Sequence, residues 1–363
     1  MIGILTTSYP RYPDDGAGVF VRERVRALLA EGHPVEILAA AARDGIHSDD
    51  GTVTRIGAGD LFYEGGAPEA LESAEPWLRL RATGQGVLFS LAMLRHLVER
   101  GRGWDAVESH WLVPCGLLAC SALPHLPHRA HVHGGDLYLL ARLPWGDSAA
   151  RTLCRRKPSL VFASASLRDR FTTLLGAEPE VFGAECRVEA APFDARIFYR
   201  RSEEEQKRLR ATVGLGMTTI FAAGRLVPIK GFDVLVEAVG RLPSARRPAV
   251  VIAGEGPERA RLLRLARAAD VSLQLPGALG QCVLAERMAA AHLFVHPCRV
   301  LDNGRSEGMP LVVREALACG LPVIASDSGG LHALHGVDGV VLVKDDDPFA
   351  LAQAIDQALR KVF

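Results

Sequence analysis

No apolar run in this sequence approaches the roughly 20 residues that a bilayer-spanning helix needs; Leu88 to Leu94 and Leu311 to Val313 are among the longest. No basic leader precedes the first apolar stretch, Ile2 to Leu5, so a secretory signal is missing too and the chain is expected in the cytosol. Net charge is absent: 42 Lys and Arg balance 42 Asp and Glu, which removes the electrostatic case for nucleic acid as a partner. The seven cysteines are odd in number and show no CxxC or Cys/His cluster, so neither a disulfide framework nor a zinc site is read from them. They read as small buried hydrophobes of a reducing compartment. The GxGxxG dinucleotide fingerprint is missing as well. Apolar residues are not lacking: 48% hydrophobic against 23% charged over 363 residues excludes disorder and suffices for two domains with separate cores.

What is present is one pattern used twice. Ile2 to Thr7 reads as a strand, a Pro/Asp/Gly loop runs to Gly18, Val21, Val25, Leu28 and Leu29 repeat at helical spacing, and Val35 to Ala39 is the next strand. Strand, loop, helix, strand begins a parallel sheet covered by helices, with ligands expected at the carboxyl ends of its strands. Gly16 and Gly18 stand in the first such loop, where a tight turn alone would also account for them. Val53 to Ile56 is a strand and Val87 to Val98 a helix; the irregular stretch from Asp44 to Gln85 reads as variable surface, with an acceptor-facing flap as the second reading. Arg79, Arg81, Arg95, Arg100 and Arg102 near that helix read as solvated helix-end charges, the alternative being contact with anionic lipid. Strands follow at Ala106 to Ser109, ending in His110 and Trp111 with Pro114 starting a helix, at Ala130 to His133, at Ser159 to Ala163 before a helix capped by Ser164, and at Val188 to Ala191. Phe198 to Lys207 reads as a charged linker, which sets domains of 1–196 and 197–363.

The second half restarts with strand Thr218 to Ala223 and the loop Gly224 to Gly231, in which Arg225 and Lys230 flank a turn. Two cations so placed clamp a diphosphate, arginine by forked contacts and lysine as a point charge; a merely basic loop is the alternative. From Gly304 to Gly320 a loop opens a helix, with Glu307 and Glu315 eight residues apart and Gly308, Met309, Pro310 and Leu311 forming the turn between them. The unpaired N–H groups of such a helix start favour a phosphate while the carboxylates accept hydroxyls beside it, a combination suited to a nucleotide sugar. Two solvated glutamates in a loop are the competing reading. Lys344 to Asp347 suggests metal ligands at first sight, but the aspartates precede a proline-started helix and read as N-cap charges.

Ser306 to Gly330, SEGMPLVVREALACGLPVIASDSGG, resembles the donor-site segment of retaining, nucleotide-sugar-dependent glycosyltransferases of the GT-B fold, in glycosyltransferase family four. GRLVPIKGFDVLVEAV around Arg225 and Lys230 is similar to that family's diphosphate segment, and His133-Gly134-Gly135-Asp136 to its His-Gly-x-Asp strand end. The resemblance covers most of the chain. It implies an α/β fold of two Rossmann-like domains whose parallel sheets face a central cleft, with the acceptor held mainly by the N-terminal domain and the donor by the C-terminal one. It assigns Glu307 to the donor sugar's hydroxyls, Glu315 to the ribose and His133 to the sugar at the reaction centre. Gly16 and Gly18 go to the donor phosphates, and the turns with Gly254, Gly256, Ala278 and Leu279 to the nucleotide pocket. Asp136, His110 and Trp111 are placed on the acceptor side. It implies a hexosyl transfer to a hydroxyl with retention and without metal or cofactor. A nucleotide-sugar epimerase of the same architecture and a non-catalytic sugar-nucleotide binder are the alternatives. A peripheral position at the inner face of the membrane, with contact through the N-terminal domain, is a further reading beside the cytosolic one. Family members continue into a segment that crosses back onto the first domain; with the sequence stopping at Phe363, either a shortened or absent crossover or an incomplete sequence is expected.

Overall fold

The structure, a computed structural model, describes residues 1–41, 52–57, 70–71, 75–213 and 218–362. Most of the irregular stretch expected between Asp44 and Gln85, including its flap reading, lies outside these residues, as does Phe363. The chain divides into two compact units, Met1–Pro192 and Phe193–Phe363.

The first unit is a parallel sheet in the order β3-β2-β1-β4-β5-β6-β7. Its strands are β1 (Ile2–Thr6), β2 (Val35–Ala40), β3 (Val53–Ile56), β4 (Ala106–His110), β5 (His128–Val132), β6 (Ser159–Phe162) and β7 (Glu185–Val188). The second unit repeats the winding as β10-β9-β8-β11-β12-β13. These strands are β8 (Thr219–Ala223), β9 (Ala249–Ala253), β10 (Leu273–Gly277), β11 (Leu293–His296), β12 (Val323–Ser326) and β13 (Val340–Val343). Central strands such as β8 and β9 are buried at every position, which is why they read as unbroken apolar runs. Phe221 and Phe294 on neighbouring β8 and β11 fill one side of the second sheet, and burying each such ring contributes roughly 1.5–3 kcal/mol. In both units the strand order reverses beside the first strand made, between β1 and β4 and between β8 and β11, and open sheets of this kind bind ligands outside the carboxyl ends at that point.

Four expectations are corrected. The helix read from Val87 begins at Pro76 and runs to Arg100, because Pro76 sits at its first position, where a missing N–H costs nothing. The last strand of the first sheet is Glu185–Val188 rather than Val188 to Ala191; Glu189 already leaves the ladder after donating its N–H to Phe162 O. Pro114 does not start a regular helix: Leu112–Gly116 form a wide turn with a cis Val113–Pro114 bond, and the helix proper is Leu117–Ala122. The expected linker contains the helix Glu203–Thr212, closed by a capping box in which Ser202 and Glu205 satisfy each other's backbone N–H groups. Among the described residues no helix is long and apolar enough to cross a membrane.

Candidate active site

In the second unit the loops after β8, β9 and β10 are locked to one another through their backbones. Gly224 N donates to Ala253 O at 2.9 Å, Leu226 N to Glu255 O at 2.8 Å, and Gly254 N to Gly277 O at 2.8 Å. Gly254 has φ +147°, and a Cβ there would lie 1.9 Å from Gly224 O, so only glycine permits this approach. Gly256 meets Leu226 O in the same way, at 2.4 Å. The result places Arg225 and Lys230, both half-buried, at the reversal point beside β11, with Gly254, Gly256, Ala278 and Leu279 on the adjoining strand ends.

Lys230 Nζ lies 3.1 Å from Glu307 Oε2. Burial pushes the Glu307 carboxyl up, but Lys230 foremost, with Arg225, outweighs it and holds the group below the usual carboxylate range. His296, at the end of β11, is wholly buried, and neither ring nitrogen has a hydrogen-bond partner among the described residues. Its pKa falls to about 3, by burial first and then by Lys230, so the imidazole is neutral. His296 therefore caps nothing among the described residues and packs as a neutral ring. Gly308, Met309 and Pro310 carry the chain into the Leu311–Ala318 helix, with Pro310 as its N-cap. Glu315, one turn in, is only 4% exposed, and burial raises it to about 7 against a smaller opposing pull from Arg314. Asp347 accepts from Phe349 N and Ala350 N at 3.0 and 2.9 Å, an N-cap as read, while Asp346 pairs with Arg299 at 2.9 Å.

In the first unit β4 and β5 bring His110, Trp111 and His133 together. His110 Nδ1 and His133 Nε2 are 3.1 Å apart. Burial lowers His133 to about 3 and His110 well below its ordinary value, so the bond joins two neutral rings. Phe20 packs on His133 at 4.6 Å between centroids and Trp111 at 5.1 Å. Trp111 adopts φ +70°, a conformation that costs a non-glycine residue of order 1–3 kcal/mol, at the β1/β4 reversal point. A cavity of about 210 Å³ opens here, lined by Phe20, Arg24, His110, His131, His133 and Arg129 among others. His110 Nε2 is buried without a partner among the described residues. Behind this row Arg24 grips Glu108 through Nε at 3.0 Å and Nη2 at 2.5 Å, with His131 at 3.3 Å, and the carboxyl falls to about 2 although burial alone would raise it. Sequence reading missed His131, Glu108 and Arg24, since nothing local pairs residues 84 positions apart.

Three predicted residues stand apart from this group. Asp136 is turned inward, 3% exposed, accepting from Leu112 N at 2.6 Å and Gly134 N at 2.8 Å; it ties the turn after β5 to the turn after β4. Gly16 is exposed with open space where a Cβ would be, whereas Gly18 has φ +69° and a Cβ there would meet Ser8 O at 2.3 Å.

Two all-parallel units of the same winding, each with polar groups gathered at its reversal point, define the two-domain GT-B class. Residues 15–182 match the family model described as Glycosyltransferase Family 4, and residues 218–361 that described as Glycosyl transferases group 1. A D-inositol 3-phosphate glycosyltransferase of Jonesia denitrificans is 31% identical across 95% of this chain and 82% of its own length. The Bacillus subtilis protein named as teichuronic acid biosynthesis glycosyltransferase TuaC is 28% identical across 97% and 87%. The crystal structure of HepE from Anabaena, in complex with UDP and glucose, superposes with a TM-score of 0.70 at 18% identity, covering 99% of this chain and 90% of that one. The chain belongs to glycosyltransferase family 4 and is a glycosyltransferase.

Proposed function

We propose that the protein transfers a hexosyl group from a nucleoside-diphosphate sugar to an acceptor hydroxyl, with retention of anomeric configuration and without a metal. The observation that carries this reading is the Lys230–Glu307 pair at the β8/β11 reversal point, followed one helix turn later by the buried Glu315. Arg225 and Lys230 offer fixed positive charge to a diphosphate, and the start of the Leu311–Ala318 helix offers N–H donors beside it. Glu307 accepts the donor sugar's hydroxyls and Glu315 those of the ribose, while His133 orients the sugar.

A double displacement needs a carboxylate nucleophile at the anomeric carbon. Glu307 is engaged by Lys230 and Glu315 lies within the helix, and we assign neither of them that role. Front-face transfer is the consistent alternative: the C1–O bond to the diphosphate breaks, the acceptor oxygen bonds to C1 on the same face, and its proton passes to the leaving phosphate. Arg225 and Lys230 then stabilise charge that grows on that phosphate.

Incubation with a panel of nucleotide sugars and acceptors, read by mass spectrometry, tests the reading. Release of nucleoside diphosphate with a glycosylated acceptor supports it; an isomerised nucleotide sugar indicates an epimerase, and binding without turnover a sensor. Nucleoside diphosphate at a hundredfold excess over Kd should add about 2.7 kcal/mol to stability. Glu315→Ala should blunt that response more than His133→Ala, and the reverse order would overturn the ribose assignment.

A further inference from the structure

A second group of titratable side chains in the C-terminal unit has no part in the donor assignments above. After β12 the chain passes through Asp327 into a tight helical turn, Gly329–Leu334, in which residues three apart stack over one another. His332 and His335 consequently stand together, their rings 3° from parallel with centroids 6.4 Å apart. Both turn a nitrogen toward the same carboxylate. His332 Nδ1 lies 2.6 Å from Asp327 Oδ1, and His335 Nε2 lies 3.0 Å from Oδ1 and 3.1 Å from Oδ2. One ligand atom from each of the three residues falls within 4.8 Å of the others. Asp327 is anchored from behind, its N–H donating to Val343 O at 2.7 Å. The three side chains remain 33%, 57% and 64% exposed, so the side facing away from the protein is open to water.

We propose that Asp327, His332 and His335 form a zinc site. Two imidazoles and a carboxylate are borderline donors that suit Zn²⁺ and disfavour the hard cations Mg²⁺ and Ca²⁺, which need oxygen. Three protein ligands with the fourth position left to water is a normal zinc arrangement. Bonds of about 2.0–2.2 Å in a tetrahedron require donor atoms roughly 3.3 Å apart. The three ligand atoms, now within 4.8 Å of one another, reach that spacing by adjustment of two exposed rings. Without metal, each imidazole donates the N–H it turns toward Asp327; to bind the metal, the neutral ring carries its one proton on the nitrogen facing away and offers the lone pair of the nitrogen facing Asp327. The sequence carries this group as a histidine pair at i, i+3 after an aspartate, Asp327-x4-His332-x2-His335.

The site bears on the central loop mechanically. Gly330 N donates to Glu307 O at 3.0 Å, and a Cβ at Gly329 would sit 2.3 Å from that same oxygen. A cation closing Asp327 onto His335 steadies the turn on which the Glu307 backbone rests.

The test uses the full chain with Zn²⁺ alone. Protein equilibrated with zinc and desalted is assayed for bound metal, and its affinity is read by competition with a chromophoric chelator. The expected result is one equivalent in the wild type, with affinity lower by at least roughly 10- to 100-fold in His332→Ala and His335→Gln. His335→Gln retains a donor for Asp327, so its metal-free melting temperature should match the wild type while its zinc is lost. His131→Ala, which disrupts the buried Glu108, His110 and His131 group, should leave zinc binding unchanged. Absence of bound zinc in the wild type, unaltered binding in both surface variants, or loss confined to His131→Ala would each overturn the proposal.

Discussion

Glu307 and Glu315 carry the same side chain and are held at opposite ends of the carboxylate range by their neighbours. Lys230 keeps Glu307 ionised, whereas Glu315 is raised from 4.5 to about 7 because burial is opposed only by Arg314. Between those values the folded chain binds a proton at Glu315 that the unfolded chain does not, so the group's contribution to stability falls as pH rises from about 4.5 through 7. Glu315→Gln escapes that loss: denaturant titrations should show the variant gaining on the wild type between pH 5 and pH 8, by at most ~3 kcal/mol. Parallel pH profiles would contradict the assignment. Ribose hydroxyls donate to the ionised form, so nucleoside diphosphate affinity should rise with pH through about 7 in the wild type, and less steeply in Glu315→Gln, when followed by calorimetry. Arg225 and Lys230 are expected to act on the transition state. Alanine at either should lower kcat at saturating donor on the order of a hundredfold. The double variant should fall short of the product, because both cations act on one diphosphate. Arg225→Lys, which keeps charge and loses the fork, should be impaired as well. Unchanged kcat in all of them would reduce the pair to anchors.

At the level of elements, the loop after β1 separates two glycines that look alike in sequence. Gly18→Ala must hold φ +69° against the Ser8 carbonyl and should cost at least ~1–3 kcal/mol in chemical denaturation, while Gly16→Ala should stay within about 0.5 kcal/mol. Equal costs would show that the turn relaxes. This loop also marks what was legible. Both Rossmann-like windings, the strand and loop positions of Arg225, Lys230, Glu307 and Glu315, and the Pro310 entry to the Leu311–Ala318 helix follow from local apolar period and punctuation. The helices Gly135–Arg142, Gly146–Arg155 and Gln281–Ala290 escaped because the glycines at or just before their starts, Gly135, Gly146 and Gly280, read as loop. The inward turn of Asp136 was not legible because its partner is the N–H of Leu112, 24 residues earlier, and no local pattern distinguishes an inward aspartate from an outward one. The pairing of Lys230 with Glu307 joins two loops 77 positions apart and is visible only once β8 and β11 are side by side.

For the molecule as a whole, independence from metal in the transfer step is expected to show as turnover that persists in excess EDTA; complete loss restored by Mg²⁺ or Mn²⁺ would refute it. The Pro76–Arg100 helix buries Ala82, Phe89, Met93 and Leu97 and exposes Trp77, Leu80, Leu88 and Leu91, with Arg79, Arg81 and Arg95 also exposed. An apolar stripe with cations suits an anionic lipid surface. Sedimentation with vesicles containing phosphatidylserine should therefore exceed that with neutral vesicles, and Leu88→Glu with Leu91→Glu should abolish the difference; equal sedimentation would leave the helix as plain solvated surface.

The strand order of the two sheets also has a meaning in time. In each unit the first strand to leave the ribosome, β1 or β8, takes a central position, and later strands add outward on either side, so no strand has to be inserted into a finished sheet. Every partner of the first sheet is supplied by residue 188, before β8 begins at Thr219. Vectorial synthesis thus allows the N-terminal sheet to close as a unit while the C-terminal half is still being translated.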